Sequence, residues 1–205
     1  MGVEERRARQ RTLLRQEILD AARDILVRDG YEGLSMRKVA EKIDYSPTAI
    51  YLHFKDRDEL VFQVCEDLMA GLVRELHHLE RQTTDPVVGL RKGLRMYVDF
   101  GLTHQEHYTA TFVIPHATTP EIQGRYNDPA SMSGQAFGIL VRMVAACIEK
   151  RKIAPADPLV TSRALWAAIH GITSLLITIP GFEWGRQEDV IDRLIGILVE
   201  GLRKG

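Results

Sequence analysis

The 205-residue sequence holds only two cysteines, Cys65 and Cys147, far apart and in no CxxC spacing. That excludes a disulfide scaffold and a cysteine-based zinc site, and it suits a reduced, cytoplasmic chain. Net charge is nearly absent too: 27 Lys and Arg against 28 Asp and Glu give −1. No global basic field points to nucleic acid, so any such signal has to be local. The opening residues, MGVEERRARQRTLLR, carry no apolar run behind their charges, and no secretory leader is expected. The longest apolar stretch, ALWAAIHGITSLLITIPGF, is interrupted by a histidine, two glycines and a proline. It suits a buried helix better than a membrane span. A glycine-rich phosphate loop, a nucleophile elbow and a metalloprotease motif are all missing, so neither an enzyme nor a cofactor is expected. His104 and His107 stand three apart with His116 beyond, but spacing fixes no further ligand and no metal site is expected.

Strand-like alternation is also missing, and what is present is helical periodicity. Leu14, Ile18, Ala22, Ile25 and Leu26 recur at helical spacing until Gly30 stops the run. Ser35 caps a short helix over SMRKVAEKI, and DYS separates it from a second short helix starting at Pro47. Longer helices are expected over residues 56–81, 86–104, 105–113, 129–152, 158–179 and 188–203, with an irregular connection from Ile114 to Ala130. The fold class is therefore all-α with about nine helices. A small unit, residues 1–56, precedes a larger helical bundle, residues 57–205.

The stretch SPTAIYLHFKDR, residues 46–57, asks for an explanation. So short a helix cannot hold itself together in water. On a helical wheel Ile50 and Phe54 share one face, matched by Val39, Ala40 and Ile43 of the preceding helix. Thr48 and Leu52 point the other way, flanked by Ala49 and Tyr51, while Ser46 caps and Pro47 takes the first helical position. Two short helices so joined follow the helix-turn-helix plan, whose second helix enters the DNA major groove. Arg37 is the candidate for a bidentate guanine contact, and Leu52 for a thymine methyl. Thr48 suits a base edge or a phosphate. Ser35, Ser46, Tyr51, His53, Lys55 and Arg57 suit phosphate positioning. Five arginines against two glutamates in residues 1–15 supply local positive charge, as an arm that enters an adjacent minor groove.

The segment ILDAARDILVRDGYEGLSMRKVAEKIDYSPTAIYLHFKDRDEL closely resembles the DNA-binding region of TetR/AcrR-family transcriptional regulators. Where that family usually has glycine in the turn, this chain has Asp44, one of the few residues that visit the left-handed region. Tyr45 replaces a small aliphatic residue there. LWAAIHGI is similar to the Trp-xxx-His-Gly signature of the WHG-type subgroup, at Trp166, His170 and Gly171. THQEHYTATF is similar to that subgroup's His-Pro-x-x-Tyr pattern, with Gln105 in the proline's place. The resemblance implies a homodimer through the last two long helices and a ligand cavity among the middle helices. It also implies that a ligand respaces the two reading heads.

Met69, Met96, Tyr97, Phe100, Tyr108, Phe112, Phe137, Val141, Trp166 and His170 lie on helices that the resemblance sets around that cavity. Each is as readily plain core. Together they describe an apolar pocket for a hydrophobic or aromatic inducer, with Tyr97 and His170 as its hydrogen-bonding groups. His170 fits a dimer contact equally well. The expected function is a ligand-responsive repressor of a palindromic double-stranded DNA operator. The alternative is a helical small-molecule-binding or adaptor protein that has lost DNA binding.

Overall fold

The computed structural model describes residues 2–112, 124–125 and 128–203. Nine helices lie among the described residues: α1 (Val3–Gly33), α2 (Met36–Lys42), α3 (Pro47–Tyr51), α4 (Arg57–Gln82), α5 (Pro86–Thr103), α6 (Gln105–Phe112), α7 (Met132–Glu149), α8 (Pro158–Thr178) and α9 (Gln187–Arg203). No strand occurs among those residues. Most of the irregular connection expected over 114–130, His116 included, lies outside them.

Side-chain caps explain where most helices start. The Ser35 and Ser46 hydroxyls accept from the Lys38 and Ala49 amides, and Ser131 accepts from Gly134. Asp85 and Asp157 do the same ahead of Pro86 and Pro158, whose missing N–H is no loss at the first helical position. Ser131 also sets the start of α7 at Met132, three residues later than the periodicity suggested, because Asp128 to Ala130 form a turn.

Two compact units emerge. The first takes residues 2–67 and the described residues 106–112, the second residues 68–105 and the described residues from 124 onward. The division between the two falls within α4, after Asp67. In the first unit, Ile18, Leu19, Ala22, Ile25 and Leu26 of α1 pack with Val39 and Ala40 of α2, Ile50 and Phe54, and Leu60 and Val64 of α4. In the second, Leu72 and Leu76 of α4 pack with Leu90, Leu94 and Val98 of α5 and Ile139, Val144 and Cys147 of α7. Leu165, Ile169 and Leu176 of α8 and Ile191, Ile195 and Val199 of α9 complete that core. By length and composition α7 and α8 could each cross a bilayer. Burial of those α8 residues in a protein core accounts for one face of that helix.

The basic leader, read from the sequence as an arm, is helical from Val3 onward, with the Gly2 amide donating to the Glu5 carboxylate at 2.9 Å. Gly30, with φ 68°, interrupts α1 as expected, and one more turn follows it. His104 ends α5 with a non-helical backbone and α6 starts anew at Gln105, so His104 and His107 lie on separate helices, as the expected ranges have it.

Candidate nucleic-acid interface

The turn between α2 and α3 sets the geometry of the first unit's exposed face. The Tyr45 amide donates to the Ala40 carbonyl at 3.0 Å and the Asp44 amide to Glu41 at 3.5 Å, closing α2 in a Schellman turn. Asp44 sits at φ 58°, in the left-handed region. Aspartate tolerates that region and a β-branched residue does not. Asp44→Gly is therefore expected to hold or raise stability, whereas Asp44→Val lowers it by about 1–2 kcal/mol. Urea unfolding midpoints of the two variants check this, and equal midpoints would remove any role for the backbone at this position.

From that turn α3 runs with Ile50 fully buried and Phe54 just beyond its end equally so. The opposite face is open: Leu52 is 73% exposed and Tyr51 55%, with Ser46, Pro47 and Thr48 also exposed and Ala49 half-buried. The helix is shorter than read from the sequence, since Leu52 already caps it. On α2, Arg37 projects into solvent, its Nε 2.7 Å from the Glu41 carboxylate, and Ser35 caps at the same end. Lys55 is exposed, and its amide donates to Glu59.

Two of the sequence-predicted residues have more crowded surroundings. The Arg57 guanidinium lies 4.0 Å above the Tyr31 ring, and the Tyr31 hydroxyl is hydrogen-bonded to Asp58. Burial, and then Asp58, push the Tyr31 phenol well above its usual range, so it stays a neutral donor. Arg57 thus anchors the start of α4 to the residues after Gly30, a role that sequence reasoning missed. His53 is half-buried, and burial together with nearby Arg11 and Arg15 holds its imidazole below its ordinary value. Arg11 and Arg15, read from the sequence only as charge in a basic arm, have defined places here. Arg15 lies 5.1 Å over the Phe54 ring and donates to Gln63 at 2.7 Å. Arg11 borders a cleft of about 700 Å³ with Gln10, Leu13, Leu14, Glu17, Tyr45, Leu52 and His53.

In the second unit, four of the residues expected around a cavity come together. Trp166 Nε1–H donates to the Tyr97 hydroxyl at 3.2 Å, and that oxygen lies 3.2 Å from His170 Nδ1. Phe137 meets the Trp166 ring edge-on, at 6.2 Å between centroids. Burial lowers the His170 pKa, which favours the neutral ring and lets Tyr97 donate to Nδ1. Met69 is buried in the same core, with Met96, Tyr97 and Phe100 packed against it, and Val141 is half-buried. Tyr108 and Phe112 are not in this unit: in the first, their rings meet at a tilt, 5.0 Å between centroids. Both thiols are buried, and burial, followed by the Asp85 charge, pushes that of Cys147 up to about 11.

Residues 18–64 match the family described as bacterial regulatory proteins, tetR family, and residues 90–202 match the tetracyclin repressor-like C-terminal domain. The HTH-type transcriptional regulator YobS of Bacillus subtilis is 26% identical over 89% of this chain and 87% of its own length. The HTH-type transcriptional activator FasR of Mycolicibacterium smegmatis is 28% identical over 53% of this chain, which spans about half (49%) of that relative. Among solved structures, the transcriptional regulator FadR from Bacillus subtilis, in complex with stearoyl-CoA, superposes with a TM-score of 0.77. The match covers 91% of this chain and 98% of that one, and at 14% identity it shows a common fold.

Proposed function

The chain belongs to the TetR family of bacterial regulatory proteins, and from that premise we propose that it is a ligand-released repressor of one palindromic operator. The family is one of transcriptional regulators with a helix-turn-helix DNA-binding domain, not of enzymes. The observation that carries the finer reading is the outer face of α3. A leucine 73% exposed at the end of a five-residue helix, held to the core by Ile50 and by Phe54 just beyond, is costly in water and useful against a thymine methyl. Arg37 and Thr48 then read base edges. Ser35, Ser46, Pro47, Ala49, Tyr51, His53 and Lys55 approach the backbone, and Arg57 supports them through Tyr31.

Operator symmetry requires a two-fold protein, and α8 carries a surface for it. Val160, Ala164, Ala167, Gly171, Leu175 and Thr178 recur every three or four residues on the side away from the core. A Cβ at Gly171 would meet nothing within 4 Å in the single chain, so its own packing does not require glycine there. His170 lies about 100° round the helix from Gly171, where it meets Tyr97. A small apolar or aromatic inducer is taken up beside Phe137, Val141, Trp166 and His170, with Met69, Met96, Tyr97 and Phe100 behind them. The long acyl chain in the FadR complex supports an apolar ligand. The inducer acts in the cytoplasm and releases DNA to the extent that it prefers the dimer's non-binding arrangement.

Selection of bound duplexes from a random DNA pool at near-physiological salt tests this directly. Enrichment of one palindrome is expected; a folded, ligand-stripped protein that enriches nothing would sink the reading. With the palindrome in hand, Arg37→Ala is expected to cost about 1–3 kcal/mol and to relax preference at one base pair per half-site. Lys55→Ala should instead weaken every sequence alike and flatten the salt slope by about one. A reversed pattern would exchange the two roles.

A further inference from the structure

The first turns of α1 lie outside the core, and among the described residues no neighbouring element buries them: residues 4–13 are all exposed. Their charge is not scattered. Arg7 and Arg11 stand four apart and, on the wheel, share a face with Leu14, Arg15 and Ile18. Arginines thus take over the face that lower down is core. That face also has a fixed direction, because Arg11 and the exposed Leu52 border the same cleft, with His53 and Tyr45 beside them. Whatever Leu52 meets, Arg11 therefore meets alongside it.

We propose that the helical start of α1 is a clamp on the DNA backbone, in which Arg7 and Arg11 hold phosphates of the strand flanking the major groove that α3 enters. This rests on the reading of α3 as the recognition helix. The cleft between α1 and the residues at either end of α3 seats that strand, with Leu13, Leu14 and Tyr45 against sugar and Arg11 against phosphate. Glu17 is the one acidic group at the cleft. A minor-groove arm does not fit this geometry. An α-helix with side chains is about 10–12 Å wide, and the minor groove is about 6 Å wide. Helical structure also prepays ordering that a disordered arm would lose on binding, so the arginines contribute at their full electrostatic worth.

The test is operator binding by the full chain and by the Arg7→Ala/Arg11→Ala double variant, across a range of salt. Alanine favours helix, so circular dichroism should report α1 intact. Each phosphate that the variant no longer neutralises should flatten the slope of log K against log salt by about 0.9. At low salt the double variant should bind about tenfold or more weakly, with the difference shrinking as salt rises. Pool selection with the variant should still enrich the same palindrome. Trimming base pairs that flank the palindrome should weaken the native protein and leave the double variant unaffected. An unchanged slope, or a changed palindrome, overturns the clamp. A native protein that selects no palindrome overturns instead the reading on which the clamp rests.

Discussion

Phe54→Ala is expected to destabilise the first unit by about 3–5 kcal/mol and to remove operator binding with it. Phe54 is 1% exposed and ranks among the largest fully buried side chains. The cost exceeds that of an ordinary core deletion in its consequence, because α3 has only five residues and hence negligible stability of its own. Ile50 and Phe54 are its two attachments to the core of α1, α2 and α4. Losing the ring leaves a cavity, removes the surface under the Arg15 guanidinium and frees the end of α3. Urea unfolding should show an earlier transition for the first unit, while the second unit, with its separate core, keeps its own. Leu52→Ser makes the contrast: exposed as it is, its loss should move stability by no more than about 0.5 kcal/mol yet weaken operator binding. If Phe54→Ala bound operator as well as the native chain, α3 would not be held as described.

Helix positions were legible wherever a cap or a proline wrote them into the sequence. Ser35, Ser46, Asp85 before Pro86, and Asp157 before Pro158 each bond a helix amide. The left-handed turn was legible through Asp44, because few residues other than aspartate, asparagine and glycine go there readily. The helical leader was not legible. Glu4 to Thr12 offer almost no apolar residue, so no periodicity could report a helix that is merely continued upward from Leu14.

Periodicity also says that a residue faces a core without saying which. Tyr108 and Phe112 carry the same apolar signal as Tyr97 and Phe100, yet they belong with the first unit. Pairings between residues remote in sequence stayed hidden for the same reason. Arg57 over Tyr31 and Trp166 on Tyr97 become visible only when helices pack. Each residue of the Tyr97, Trp166 and His170 group could be singled out by type, but not the hydrogen bonds that join them.

Gly171→Glu is expected to turn the proposed dimer into monomers and to lower operator affinity about a thousandfold or more, towards non-specific binding. A half-site reader gives up the other half of the operator when it loses its partner, which is why a change on α8 should reach that far. The substitution suits the test because the single chain has room for it: nothing lies within 4 Å of a Cβ at Gly171, and glutamate favours helix over glycine. The monomer should therefore fold, with its thermal transition independent of protein concentration. Across a two-fold seam the same side chain would bring two carboxylates together in apolar surroundings, among Ala164, Ala167 and Leu175, at a desolvation cost neither can recover. The same change at Val88, exposed on α5, should leave mass and affinity as they were. Sedimentation and operator titration read both variants. A Gly171→Glu protein that still sediments as a dimer would move the seam off this stripe, to a surface such as that around the exposed Ile197 on α9. A native chain that is monomeric at every concentration would leave palindromic recognition without a structural basis.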